Sequence, residues 1–247
     1  MLDQETHGDV VVLRMTHGKV NALDLELLTA LTAMLDELAA AGPPLVLTGT
    51  GAAFSAGVDL RRIVTEPVAY VEEYLRALVA TFCALFGYPG PAVAAVNGHA
   101  IAGGYVLAAA CDHRVAAAGA GRLGLTELQV GVPFPVSAIE IVRHAVGSPA
   151  ASRLALSAAL VDLTTALAMH AVDEVVPPDA LLSTAIARAE LRAARGLASY
   201  RMTKLQLRRP AMDLIERVAP GEDPLVRQAW ADQASLDRIR GFLATLG

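Results

Sequence analysis

The chain has 247 residues, of which 54% are hydrophobic, and it carries a formal net charge of -5 with a pI of about 5.7. This length and composition suffice for one large domain or two small ones around a sizeable core. The negative balance and the scattered basic residues argue against nucleic acid as a partner, because surfaces that bind it carry clustered lysine and arginine.

The N-terminus, MLDQETHGDV, lacks a positive segment followed by an apolar one, so we expect no signal peptide and a cytoplasmic location. The apolar run at 92–111 approaches the length of a membrane span. Asn97 and His99 interrupt this run, which favours a buried strand, a turn and a helix over a membrane-spanning helix. We therefore expect no membrane partner. Cys83 and Cys111 lack the spacing of metal or redox sites, so we expect buried free thiols and no metal.

In chain order, the hydrophobic pattern predicts a strand at 10–15, a helix from Asp24 to Ala41, a strand at 45–48, a helix from Val68 to Phe86, and strands at 92–96 and 113–118. This alternation indicates an α/β domain whose sheet is covered by helices. From Pro149 onward the pattern is almost entirely helical apart from AVDEVV at 171–176. It includes a helix from Pro224 to Leu246.

A glycine-rich segment, GTGAAFSAGVDL at 49–60, follows the strand LVLT. It matches a dinucleotide fingerprint poorly, because Phe54 takes the place of the last glycine. We favour a tight turn whose amides near Gly57 and Val58 point into a cleft, with Asp59 capping the next element. An ordinary glycine loop is the alternative.

A second glycine pair, Gly103 and Gly104, breaks the segment NGHAIAGGYVLAAACD at 97–112. If a buried helix follows this pair, its first amides are unpaired and carry the positive end of the helix dipole. Two such turns could aim two N–H donors at one carbonyl oxygen, which is an oxyanion hole. Close packing of a helix onto a strand is the alternative.

Five segments together resemble the crotonase superfamily of enoyl-CoA hydratases and isomerases, and they span most of the chain: AFSAGVDL (53–60), VNGHAIAGGYVLAAACD (96–112), VNALDLELLTAL (20–31), LGLTELQVGVPFP (123–135) and AVDEVVP (171–177). The resemblance implies an α/β fold with a ββα spiral core at 1–195 and a helical trimerisation region at 196–247. It also implies a homotrimer or a dimer of trimers. The expected ligand is an acyl-CoA thioester, and no separate cofactor is expected, because coenzyme A is part of the substrate.

On matching positions, the resemblance makes the backbone amides of Val58 and Gly103 the oxyanion donors, with Gly104 relieving the turn. It places substrate-binding positions at Ala56, Gly57, Asp59, Leu60, Gly104, Val106 and Pro133.

Basic side chains near the glycine-rich segment are candidates for the coenzyme A phosphates. Arg61 and Arg62 follow that segment directly and could pair with phosphate. Lys19 and Lys204 are weaker candidates, and for each of them a solvated surface charge is the preferred interpretation.

The acidic residues decide which reaction is expected. Hydratases of the resembled family use two glutamates, and the matching positions here hold Val106 and Glu127. Hydration needs a base and an acid, whereas moving a double bond from the 3,4 to the 2,3 position needs one carboxylate that shuttles a proton. Glu127 is the predicted shuttle of an enoyl-CoA isomerase. Glu140 is a weak candidate for a second acid, since a glutamate on a helix usually faces solvent.

Two alternatives remain open: a hydratase or another thioester-enolate enzyme, and a non-catalytic acyl-CoA binding protein. The acyl group could contact the helices at 68–86 and 224–246. The latter contains Trp230 and Phe242, which core packing would explain equally well.

Overall fold

The computed structural model describes residues 1–245, and these form nine strands and nine α-helices. The strands are β1 (Leu2–His7), β2 (Val10–Met15), β3 (Leu45–Thr48), β4 (Ala53–Ser55), β5 (Ala92–Val96), β6 (His99–Ile101), β7 (His113–Ala117), β8 (Leu123–Gly124) and β9 (Glu174–Val176). The helices are α1 (Leu25–Ala39), α2 (Leu60–Thr65), α3 (Val68–Gly87), α4 (Gly103–Ala110), α5 (Val136–Ser157), α6 (Leu163–Ala168), α7 (Leu181–Ala193), α8 (Leu197–Ala231) and α9 (Gln233–Ala244).

The strands form two sheets that the chain visits in turn. The larger has the order β1-β2-β3-β5-β7-β9 and is parallel except for the antiparallel β1-β2 pair, while β4, β6 and β8 form a small parallel sheet. A strand of the large sheet is followed three times by a strand of the small sheet and then by helix: β3-β4-α2, β5-β6-α4 and β7-β8-α5. The predicted α/β class and its ββα spiral are confirmed.

The large sheet is buried on both faces, because successive side chains of a strand point to opposite sides. On β2, Val11 and Leu13 face the main core, whereas Val10 and Val12 face a second core against α7. The continuous apolar sequence of β2 is explained by this two-sided burial.

The long periodic elements agree with the sequence. The strands at 10–15, 45–48 and 92–96 have the predicted bounds, and the third helix ends at Gly87, one residue after its prediction. Asp24 caps α1 as predicted, with its carboxylate accepting a 2.9 Å hydrogen bond from the Leu27 amide. The thiols of Cys83 and Cys111 are free, and only Cys111 is fully buried.

The predicted helix from Pro224 to Leu246 is wrong in its bounds. Pro224 lies inside α8, which ends at Ala231, and Asp232 then caps α9 through the Ala234 amide. Packing of α8 against α3 and α5 keeps the chain helical past a residue that ordinarily breaks helices. Leu246 lies outside the described residues.

None of the helices within residues 1–245 has the length and apolar character to cross a bilayer. The division of the chain at residue 196 stays a prediction.

Candidate active site

A buried asparagine holds strand β4. The Asn21 side-chain amide donates hydrogen bonds to the carbonyls of Ala53 (3.0 Å) and Phe54 (3.2 Å). The Ser55 hydroxyl donates in return to the Asn21 carbonyl at 2.7 Å. The loop before α1 therefore fixes β4 and the turn that follows it.

Three consecutive amides in that turn have different environments. The Ala56 amide donates to the Val20 carbonyl (2.9 Å), and the Gly57 amide donates to the Ser55 hydroxyl (3.1 Å). Across residues 1–245 the structure shows no acceptor for the Val58 amide. The expectation that the Gly57 amide also points into the cleft is wrong, because the Ser55 hydroxyl takes it.

Gly57 brings this turn against the start of α4. It has φ +79°, and a Cβ atom there would lie 2.6 Å from the Ile101 carbonyl oxygen and 3.3 Å from the Gly103 nitrogen. Only glycine allows both this backbone conformation and this approach. Val58, whose amide has no acceptor in the described chain, therefore directly follows the glycine that packs against the start of α4.

The start of α4 leaves two amides unused. The first helical hydrogen bonds are donated by Tyr105 and Val106 to the Ala102 carbonyl, at 2.9 and 3.2 Å. The Gly103 and Gly104 amides precede them and have no protein acceptor in the described part of the chain. These amides carry the positive end of the helix dipole.

The two glycines of the pair have different structural roles. A Cβ atom on Gly104 would lie 2.3 Å from the Ser55 carbonyl oxygen, so Gly104 permits close packing of α4 on β4. The idea that Gly104 relieves the turn is wrong, because Ala102 adopts the positive φ of 53°. A Cβ atom on Gly103 would meet only side chains, the nearest being Leu23 at 3.0 Å.

A cavity of about 510 Å³ opens beside these turns. Its wall combines the β4 turn, the segment around Glu127 and the C-terminal helices, and includes the predicted site residues Ala56, Val58, Asp59, Leu60, Arg61 and Glu127 together with Trp230 and Phe242. Through Trp230 and Phe242, the C-terminal helices α8 and α9 line the same cavity as the β4 turn and Glu127.

Other predicted substrate-binding residues lie outside this wall. Val106 is fully buried in the main core, and Gly57 and Gly104 are used in the backbone contacts described above. The Pro133 carbonyl accepts a 2.8 Å hydrogen bond from the Trp230 indole, so Pro133 positions a wall residue. For these positions, direct contact with substrate stays a prediction.

Glu127 is a buried acid in the cavity wall. Glu127 begins a short 3-10 helix at Glu127–Gln129 and is 7% exposed. Its Oε2 atom has no hydrogen-bond partner among residues 1–245. Burial raises the pKa of Glu127 from 4.5 to about 8, although the backbone amides of Glu127 and Thr126 oppose this shift. Such a carboxyl group can both hold and release a proton near neutral pH.

The remaining acids are tied to other groups. Asp59 caps α2, as predicted, by accepting from the Arg61 and Arg62 amides at 3.0 and 3.2 Å. Glu140 is buried, contrary to the expected solvent-facing position, and forms an ion pair with Arg143 away from the cavity.

The candidate phosphate ligands also separate. Arg61 lies in the cavity wall and is exposed, whereas Arg62 is bonded to Glu26 and stacked over the Tyr70 ring at 4.7 Å. Lys19 is exposed, as expected for a solvated charge. The same expectation is wrong for Lys204, which is 8% exposed and paired with a buried carboxylate.

Sequence reasoning missed the roles of Asn21 and Ser55. Both residues lie within segments that carry the family resemblance. The hydrogen bond between them joins positions 34 residues apart, and no local pattern shows such pairing.

Comparison with known proteins gives a consistent result. The family model described as enoyl-CoA hydratase/isomerase matches residues 5–241. A Thermus thermophilus protein, named provisionally as an enoyl-CoA hydratase, is 41% identical over 217 residues, or 85% of each chain. Human mitochondrial enoyl-CoA delta isomerase 1 is 30% identical over 191 residues, which cover 75% of this chain and 63% of the relative. The crystal structure of human mitochondrial Δ3-Δ2-enoyl-CoA isomerase superposes with a TM-score of 0.91 at 26% identity, covering 99% of this chain and 97% of the other.

The two glycines of the pair should respond differently to alanine. We expect Gly104→Ala to lower the free energy of unfolding by about 1–3 kcal/mol, because its Cβ atom would meet the Ser55 backbone. Gly103→Ala should cost less, since the nearest atoms belong to side chains that can move. Urea unfolding of both variants measures the difference, and equal losses would contradict this assignment.

The buried carboxyl group should make stability depend on pH. Between about pH 5 and pH 8 the folded chain keeps the Glu127 proton that the unfolded chain has released, so the free energy of unfolding falls as pH rises. Relative to Glu127→Gln, the wild type should lose up to about 1.4 kcal/mol per pH unit in this interval. Urea titrations at several pH values test this slope, with the exposed Glu73→Gln as the matched control; a slope shared by all three proteins would refute it.

Proposed function

The chain belongs to the enoyl-CoA hydratase/isomerase family, and we propose that this enzyme shifts the double bond of a 3-enoyl-CoA to the 2,3 position. The observation that carries the proposal is the single available carboxylate in the cavity. Asp59 also lies in the wall, but its carboxylate caps α2, whereas Glu127 Oε2 has no partner within the described residues. One unbonded carboxyl oxygen suits a reaction in which one group moves one proton.

In the proposed reaction, ionised Glu127 removes a proton from C2 of the substrate, and the C2–H electrons form a dienolate. The Glu127 carboxyl group then returns the proton to C4, so the double bond lies between C2 and C3 with no net gain or loss of protons. A pKa near 8 matches this double role, because catalysis by a general acid or base is most efficient near the working pH.

The dienolate oxygen is the atom that needs stabilisation. The Val58 and Gly103 amides support an oxyanion hole, since both lack protein acceptors in the described chain and their turns meet at Gly57. Losing one such donor typically costs about 3 kcal/mol of transition-state stabilisation. A positive helix end at Gly103 adds to this attraction.

Substrate placement is proposed from the rest of the wall. The apolar side chains of Trp230, Phe242 and Leu243 suit an acyl group, and exposed Arg61 suits a coenzyme A phosphate. Coenzyme A enters as part of the substrate. A homotrimer or dimer of trimers stays a prediction, as does the use of 196–247 in assembly.

Hydration of a 2-enoyl-CoA is the second candidate function, because the Thermus thermophilus relative is named as a hydratase. Hydration requires an acid and a base around one water molecule. Val106 offers a hydrocarbon where a second carboxylate is expected, and Glu140 pairs with Arg143 outside the cavity. These positions favour isomerisation.

Replacing Glu127 tests the proposal. We expect Glu127→Gln to lower 3-enoyl-CoA isomerisation by about 10²–10⁴-fold, because glutamine cannot accept the C2 proton. Glu140→Gln should retain activity and serves as the comparison. Turnover is followed spectroscopically with both 3-enoyl-CoA and 2-enoyl-CoA.

The outcomes separate the candidate functions. Full activity of Glu127→Gln would contradict the proton shuttle, and rapid hydration of 2-enoyl-CoA by the wild type would favour a hydratase. Binding of acyl-CoA without turnover of either substrate would indicate a binding protein.

The pH profile of the wild type gives an independent test. Because the free enzyme must hold Glu127 ionised to accept a proton, kcat/KM should rise with pH and level off above a pKa near 8. A profile that is flat from pH 6 to about pH 9 would exclude Glu127 as the base that starts the reaction.

A further inference from the structure

A second cavity, of about 320 Å³, lies at the end of α4 opposite to Gly103. Its walls come from Cys111 and the residues after it, from β7, and from α5, α7 and α8. Eight helical residues span about 12 Å, so this cavity is separate from the one that contains Glu127.

The wall of this cavity is strongly basic. Arg114, Arg192, Lys204 and Arg208 line it, with Asp112 as the only carboxylate in the wall as described. Asp112 accepts from Lys204 Nζ at 2.8 Å and from Arg208 Nη2 at 2.6 Å. The one carboxylate is thus shared by two cations. Arg192 adds a further positive charge to the cavity wall.

The charge of Arg114 is balanced by a carboxylate outside the cavity wall, but one of its N–H donors has no acceptor among the described residues. Its Nη2 atom lies 2.8 Å from a carboxylate oxygen of Asp173, whereas its buried Nε–H has no acceptor in residues 1–245. Buried donors without acceptors are costly, and this enclosed Nε–H adds positive potential beside the cavity without contacting its interior.

Lys204 also has a donor to spare. Its ammonium group carries three N–H donors, of which the structure assigns two, to the Gly90 carbonyl and Asp112, both at 2.8 Å. Burial and the Arg208 charge lower the pKa of Lys204 to about 8, despite the opposing effect of Asp112. His144 at the mouth has a lowered pKa for the same two reasons, burial first.

We propose that this cavity binds a small oxyanion, either phosphate or the carboxylate of a small molecule. An oxyanion would supply the negative charge that the wall lacks and would accept from the remaining donors of Lys204 and Arg192. The volume equals that of about ten water molecules, which is enough for phosphate with part of its hydration shell. Exposed Thr203 and Leu207 mark the side through which such an ion enters.

Isothermal titration of the full chain with sodium phosphate, and separately with sodium acetate, at constant ionic strength tests the proposal. We expect saturable binding to one site, and the tighter anion identifies the preferred source of the oxyanion. Arg192→Gln should weaken binding by at least about tenfold, because a charge-assisted donor is lost. Arg192 is partly exposed and its side chain donates to the Arg188 carbonyl on the same helix, so we expect the fold of Arg192→Gln to persist.

Arg209→Gln is the matched control, since Arg209 is exposed on the same helix as Arg208 and lies outside the cavity wall. This variant should bind the anion like the wild type. Thermal unfolding without added anion verifies that both variants are folded. Absence of saturable binding by the wild type, or equal weakening by Arg192→Gln and Arg209→Gln, would overturn the proposal.

Discussion

The close backbone contact between the turn after β4 and the start of α4 is the constraint on which the site depends. Gly57 approaches the Ile101 carbonyl, and Gly104 approaches the Ser55 carbonyl, at distances that exclude a Cβ atom on either glycine. Each segment alone is an ordinary strand or helix end. Through this contact the turn that carries the Val58 amide packs against the turn that carries the Gly103 amide, 45 positions later in the chain, and the Asn21 side chain holds β4 in place.

The two ends of α4 lie in opposite electrostatic settings. At the Gly103 end, Glu127 is buried and has no cation partner among residues 1–245, so its pKa rises to about 8 and its proton becomes transferable. At the other end, Lys204 and Arg208 surround Asp112 and lower its pKa despite its burial. Burial alone therefore does not make a carboxyl group reactive; what matters here is whether cations compensate for it.

The sequence predicted the elements that have a clear period and missed those that do not. Alternation and long apolar runs identified β2, β3 and β5 with their bounds. The small sheet has strands of two or three residues, too short for any period to be read. The predicted helix start at Pro224 is wrong, because packing against the core keeps α8 helical through a proline that would otherwise favour a helix end or start. The Gly57 amide was misjudged because its acceptor is a side-chain hydroxyl.

The role proposed for Glu127 rests on its place in a family resemblance, whereas the environment of its carboxyl group depends on residues far away in the chain. Trp230 and Phe242 reach the same cavity from the C-terminal helices, and the Pro133 carbonyl holds the Trp230 indole at 2.8 Å. These apolar side chains help to exclude water, and exclusion of water is what raises the pKa of a carboxyl group. Apolar packing and basicity are therefore coupled in this cavity, because a change that opens its wall to water also changes the solvation of Glu127.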